Sequence, residues 1–186
     1  FPVKVDANAP AWKVALPGAG HASPIVWNDR IFTVAAIAET EERALICLDR
    51  KDGHTLWQTA VIKSPMEKKH NLNSHASSTP ATDGEQIYTA FLDLNNTKNL
   101  PPATSGRAND GGTATLGEPV ISAHDFSGKL VWQKRVGKFS SKHGFCSSPV
   151  LYKDKVIVNC DHDGDGYIVA LSKTDGRELY RIERPN

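Results

Sequence analysis

The sequence predicts an all-β chain, about three four-stranded blades of a larger β-propeller, and three observations predict it. A turn glycine followed four residues on by an aromatic occurs at Gly53 to Trp57, Gly128 to Trp132 and Gly176 to Tyr180. A second phrase alternates with it: Ser23-Pro24, Thr79-Pro80 and Ser148-Pro149, each followed seven residues later by Ile31, Ile87 or Val156. The spacing is also that of a blade, 45 residues from Trp12 to Trp57 and 48 from Trp132 to Tyr180. A repeat of this length, made of short strands, is one unit that buries its faces against its neighbours.

The elements follow in order. Residues 12–16 match 57–61 and read as an outermost strand, so residues 1–20 are expected to complete a closing blade. In the first full blade, residues 21–63, strands are expected at Pro24–Trp27, Arg30–Ile37, Ala44–Leu48 and Thr55–Ile62. Asn28-Asp29 and Asp52-Gly53 supply turns between short β-branched runs, which are strand and hairpin signals. The second blade, residues 74–137, is longer: Pro80 to Gly128 is 48 residues, against 29 from Pro24 to Gly53 and 27 from Pro149 to Gly176. The surplus falls in 93–119, rich in Asn, Gly, Pro, Thr and Ser, and reads as a surface loop. A second surplus is the polar run Ser64 to Asn73. The third blade is expected at 144–184. Three blades are too few for a ring of about 4 to 8, so the chain is expected to be part of a larger propeller, completed by further blades or by other copies.

The phrase Ala-x-Asp-x-x-Thr-Gly-Lys-x-x-Trp, echoed by 128–132 and 175–180, resembles the repeat of the pyrroloquinoline-quinone-like (PQQ, quinoprotein-type) β-propellers. That group includes quinoprotein alcohol dehydrogenases and an outer-membrane assembly lipoprotein. The wording around Gly20-His21, Asn73-Ser74-His75 and His143-Gly144 is most similar to secreted, planctomycete-style members. The third repeat departs from the pattern with Ser172 and Tyr180, and the second is one residue short before Gly128. The resemblance implies a ring of about 7 or 8 blades, with Trp12, Trp57, Trp132 and Tyr180 packing between blades as structural aromatics. It also implies a periplasmic or extracellular location. Quinoproteins of the group hold their cofactor with a vicinal cysteine pair, a stacking tryptophan and calcium-ligating carboxylates. No adjacent cysteines occur here. No cofactor is therefore expected for this portion, with PQQ and calcium reserved for a complete propeller.

Composition excludes several classes. Lys and Arg number 22 against 21 Asp and Glu, and no polybasic run points to nucleic acid or a membrane surface. No apolar run approaches the roughly 18 residues of a span. Phe1-Pro2 without Met is expected to be a processed or excised start. Three cysteines lack metal-type spacing; Cys146 and Cys160 flank one hairpin and are either bridged or packed as small apolar residues. Gly-x-Ser-x-Gly, phosphate-loop and Cys-x-x-Cys motifs are missing.

Blade topology sorts the connections onto two ends. The short turns at 28–29, 83–84 and 153–154, with the Gly turns at 53, 128 and 176, share one end. The irregular segments at 64–73, 93–119 and 161–166 share the other, where binding resides on a rigid β scaffold. His21, His75 and His143 precede the innermost strands at that end and are candidates for the channel mouth. Two readings are open for them: imidazoles lining a binding or metal site, or side chains fixing loops by hydrogen bonds to a neighbouring backbone. Asp161, Asp163 and Asp165 alternate like the start of a calcium loop, but position 12 is Ser172 and position 9 is Val169; the competing reading is a hairpin turn. The expected function is a non-enzymatic scaffold whose loop-bearing end takes a protein or glycan partner. The alternative is part of a PQQ-dependent dehydrogenase or another channel-sited enzyme.

Overall fold

In the computed structural model, residues 10–95, 97 and 115–184 are described. Thirteen strands form three antiparallel sheets, and no α-helix occurs among the described residues. Blade 1 is β1 (Ile25–Trp27), β2 (Arg30–Ile37), β3 (Glu42–Asp49) and β4 (Thr55–Lys63) in sequential order. Blade 2 is β5 (Ala81–Thr82), β6 (Gln86–Asp93), β7 (Thr115–Asp125) and β8 (Leu130–Arg135), with β9 (Phe139–Ser141) added to β7. Blade 3 is β10 (Val150–Tyr152), β11 (Lys155–Asn159), β12 (Gly166–Ser172) and β13 (Glu178–Arg184).

Middle strands are largely buried: blade 2 lies between two neighbours, and the other face of blade 1 is packed in part by Val14. Phe32–Ala36 and Arg43–Leu48 are buried without a break, so β2 and β3 read as near-continuous apolar runs. The outermost β4 is largely exposed over its first six residues. One core lies between blades 1 and 2 around Phe32, Leu45, Ile87 and Phe91. A second lies between blades 2 and 3 around Tyr88, Ile121, Val156 and Leu171.

Two ladders link the blades. On the outside, a Cβ on Gly53, Gly128 or Gly176 would sit 2.4, 2.8 or 2.5 Å from the ring of Trp12, Trp57 or Trp132. All three glycines hold positive φ (78°, 86° and 70°), a region they enter at no steric cost. Each indole N–H donates onward, Trp12 to the Arg50 carbonyl (3.0 Å), Trp57 to Phe126 (3.0 Å) and Trp132 to Lys173 (2.6 Å). In each case the acceptor is the residue after the turn's first member, Asp49, Asp125 or Ser172. The short second turn therefore keeps its acceptor: its glycine N–H closes on Asp125, as Gly53 and Gly176 close on Asp49 and Ser172. On the inside, the Ser23 N–H donates to the Thr79 hydroxyl (3.0 Å), and the Thr79 N–H to the Ser148 hydroxyl (2.9 Å). The Ser/Thr-Pro phrase is thus a second seam.

Two features differ from the sequence reading, and a third settles an alternative it left open. Residues 12–16 form no ladder, having no strand beside them among the described residues; Trp12 nevertheless sits on the Gly53 turn. The last five residues of the expected 93–119 loop are strand, the start of β7, where Thr115–Gly117 pairs with β9. Residues 96 and 98–114 of that loop lie outside the described residues. All three cysteines are free, with Cys47 and Cys160 buried and Cys146 exposed; burial raises the thiols of Cys47 to about 11 and Cys160 to about 12.

Trp132→Phe should lose the indole hydrogen bond and about 1 kcal/mol, and Trp132→Ala roughly 3–5 kcal/mol, as read by urea unfolding. An unchanged midpoint in Trp132→Phe would show that the N–H contributes nothing, and equal losses in the two variants that the ring does not. Tyr180 is 41 % exposed where Trp132 is 8 %. The 186-residue chain is expected to self-associate in micromolar light scattering, because repeat arrays need covered end faces; a cooperatively folded monomer is the contrary result.

Candidate functional site

The hairpin turns gather at one end. The Arg50 N–H donates to the Asp29 carbonyl and that of Lys173 to Asp154, both at 2.9 Å. Lys173 also pairs with Asp83 at 3.1 Å. These contacts hold the end flat and regular. Trp27 seats there on Gly84, where a Cβ would lie 2.3 Å from its ring, so all four tryptophans of the chain rest on turn glycines.

At the opposite end, connections from all three blades knit into one surface. Its anchor is Arg43, fully buried, whose guanidinium donates to the Ser64 and Pro65 carbonyls and to the Glu67 carboxylate (2.6 Å). The 64–73 segment is thereby tied to β3. The Lys68 N–H donates to the Thr115 hydroxyl (3.1 Å). The His70 N–H and the Asn73 side-chain N–H both donate to the His143 carbonyl (3.3 and 2.7 Å), and the His70 and His143 rings lie 5.9 Å apart. Beyond them Phe139 stacks edge-on to Phe145 and His162. The Asp163 N–H donates to Ser140, and the Lys142 N–H to the Asp163 carboxylate (2.8 Å). Burial, then Lys138, holds the His162 imidazole below its usual range.

The candidate histidines fall along this seam in distinct roles. His75 Nε2–H donates to the Glu67 carbonyl (2.8 Å). The His21 N–H donates to the Ala76 carbonyl (3.1 Å) and the Ser74 hydroxyl (2.9 Å), which sets its backbone beside His75. His143 meets His70, a residue outside any sequence pattern; the only prior signal was its place in the 64–73 surplus. Arg43 was also missed, and its signal was a lone cation opening an apolar strand. Among the described residues, Asp49, Asp52 and His54 alone bring three ligand atoms within 4.8 Å, and they lie at the flat end, where Asp52 accepts from the His54 ring and backbone. Asp161 pairs with Arg184, Asp163 caps Lys142, and Asp165 is exposed.

The described residues therefore form part of a β-propeller, three consecutive four-stranded blades with one loop-bearing end. The sequence model of the family described as outer membrane protein assembly factor BamB matches residues 3–95 and 74–186, and the chain belongs to that family of PQQ-like propeller repeats. No curated protein matches the chain. Among solved structures, the quinohemoprotein alcohol dehydrogenase of Pseudomonas putida is similar at 17 % identity and TM-score 0.58, over 93 % of this chain and 22 % of that one. The enzyme of Comamonas testosteroni gives 16 % and 0.58, over 92 % and 22 %. BamB from Moraxella catarrhalis gives 18 % and 0.36, over 92 % and 54 %. The chain spans about a fifth of the two dehydrogenases it matches, and the likeness to them is one of fold. Among the described residues no helix is long and apolar enough to cross a membrane.

Among the described residues, the side chains by which the resembled quinoproteins hold a quinone are not brought together. The cysteines at 47, 146 and 160 are not vicinal, every tryptophan is seated on a glycine turn, and Asp161 and Asp163 are engaged by protein donors.

Glu67→Gln should destabilise the fold by roughly 3 kcal/mol, because it leaves a buried guanidinium without its counter-charge. Hydrogen exchange should rise in 64–73 before it rises in β3. Uniform exchange would show that Arg43 supports the core and not the loop.

Proposed function

We propose that the chain is propeller material of a non-enzymatic binding scaffold, working in the periplasm or outside the cell. Its loop-bearing end engages a protein or glycan partner, and this portion binds no quinone. The observation that carries the reading is the contrast between the two ends. One is fixed by turn-to-turn hydrogen bonds and the Asp83–Lys173 pair; the other combines 64–73, β9 and 161–166 into one surface. Irregular loops on a rigid β scaffold are where recognition is built. The matched family description, an assembly factor, is consistent with a role in protein association.

Photo-crosslinking checks this. A benzophenone side chain at Asn71 should capture a partner in cells of the source organism, and one at Arg50 on the flat end should not. Capture from Arg50 alone would overturn the reading. So would saturable quenching of tryptophan fluorescence by micromolar PQQ with calcium, which would favour a quinone-dependent enzyme.

A further inference from the structure

The 64–73 segment carries Leu72, which at 80 % exposure is the most exposed large hydrophobic residue among those described. Leu72 does not ride on a loose tip. Its N–H donates to His70 Nδ1 (3.2 Å), the Asn73 N–H donates to the His70 carbonyl (3.0 Å), and Asn73 is tied to His143 (2.7 Å). The same segment carries cations. Lys68 and Lys69 precede His70, and Lys69 lies against Gly144, whose added Cβ would come within 2.8 Å of the Lys69 Cβ. Among the described residues neither ammonium is in an ion pair. The neighbouring carboxylate, Glu67, is buried against Arg43 and leaves the lysine charges uncompensated. The whole chain carries a net charge of only +1, so this positive surface is a local concentration.

We propose that Leu72, together with Lys68, Lys69 and His70 of the same segment and His143 tied to it, is a docking surface for an acidic polypeptide segment bearing an apolar side chain. The proposal rests on the scaffold reading and names the partner's chemistry. An apolar centre inside a charged rim is the anatomy of a protein interface. The rim charges steer the encounter and the apolar anchor sets the lifetime of the complex. A polyanionic glycan would use the lysines but gain nothing from Leu72. Because backbone and side-chain bonds already hold the segment, little ordering entropy opposes docking.

The test uses the 186-residue chain and a fluorescein-labelled 15-residue peptide of Glu and Asp containing one Leu, followed by anisotropy. Leu72→Ser should weaken binding about tenfold, the loss expected of an interface anchor, and Lys68→Glu/Lys69→Glu should weaken it at least as much and flatten its salt dependence. Both sites are on the surface, so unfolding midpoints should not move. Binding that ignores either variant overturns the proposal. A heparin fragment that displaces the peptide and binds Leu72→Ser unchanged also overturns it, in favour of an anionic glycan. If the peptide fails while Asn71 still crosslinks a partner, the acidic-polypeptide proposal falls and the loop-end reading stands. If both fail, both fall.

Discussion

The seating of an indole on the next blade's glycine turn is the contact on which the rest of the arrangement depends. Trp57 cannot lie flat on residue 128 unless that residue lacks a Cβ, since a Cβ would come within 2.8 Å of the ring. The turn cannot close unless the same residue accepts φ near +86°. Glycine satisfies both demands at once. The indole N–H then finds the Phe126 carbonyl, so the aromatic buries its face without stranding its donor. Arg30 donates to that same carbonyl and lies over the Phe126 ring, 5.7 Å from its centroid. A single turn is thus held by two side chains of the preceding blade.

This constraint divides the labour between the ends. A residue inserted into a hairpin turn at the flat end displaces a glycine from under an indole, which limits variation there to changes such as the four-residue turn at 125–128, where the acceptor position is kept. Connections at the other end carry no such requirement. There the chain accommodates the 64–73 segment, an extra strand and a charged residue inside the sheet. The Arg43–Glu67 pair shows the cost. Burying two charges is repaid only when hydrogen bonds saturate them; Arg43 meets the Ser64 and Pro65 carbonyls as well as Glu67, while its Nε–H is left without a partner. Ordering the segment is what that burial achieves.

The fold was legible because its signals are local and repeated: glycine, aromatic and Ser/Thr-Pro positions at a blade's spacing, with strands ending where Asn28, Lys153 and the glycines take positive φ. The sequence phrase joins Gly53 to Trp57, whereas in space Trp57 belongs with Gly128, one blade on. What could not be read is non-local and occurs once. Strand β9 is the short polar run Phe139-Ser140-Ser141, a strand only because Thr115–Gly117 lies beside it. His70 and His143 are 73 positions apart and meet only because two inter-blade connections converge. His124 occupies the place that Leu48 and Leu171 hold in the other blades; burial pushes its imidazole down to about 4, so it behaves as a neutral filler.

Both seams run in one direction. Each blade offers its tryptophan to the turn ahead, and the N–H of its Ser/Thr-Pro phrase to the hydroxyl ahead. Stability in such an array is a sum of nearest-neighbour terms, and each interface is made only when the later blade is in place. Blade 2 meets a neighbour on both sides, and its Trp132 is 8 % exposed, whereas Tyr180 of blade 3, the next aromatic in the same series, is 41 % exposed. Arg43, buried within blade 1, ties the 64–73 segment to β3, so the connection that leads into blade 2 is fixed by the blade behind it.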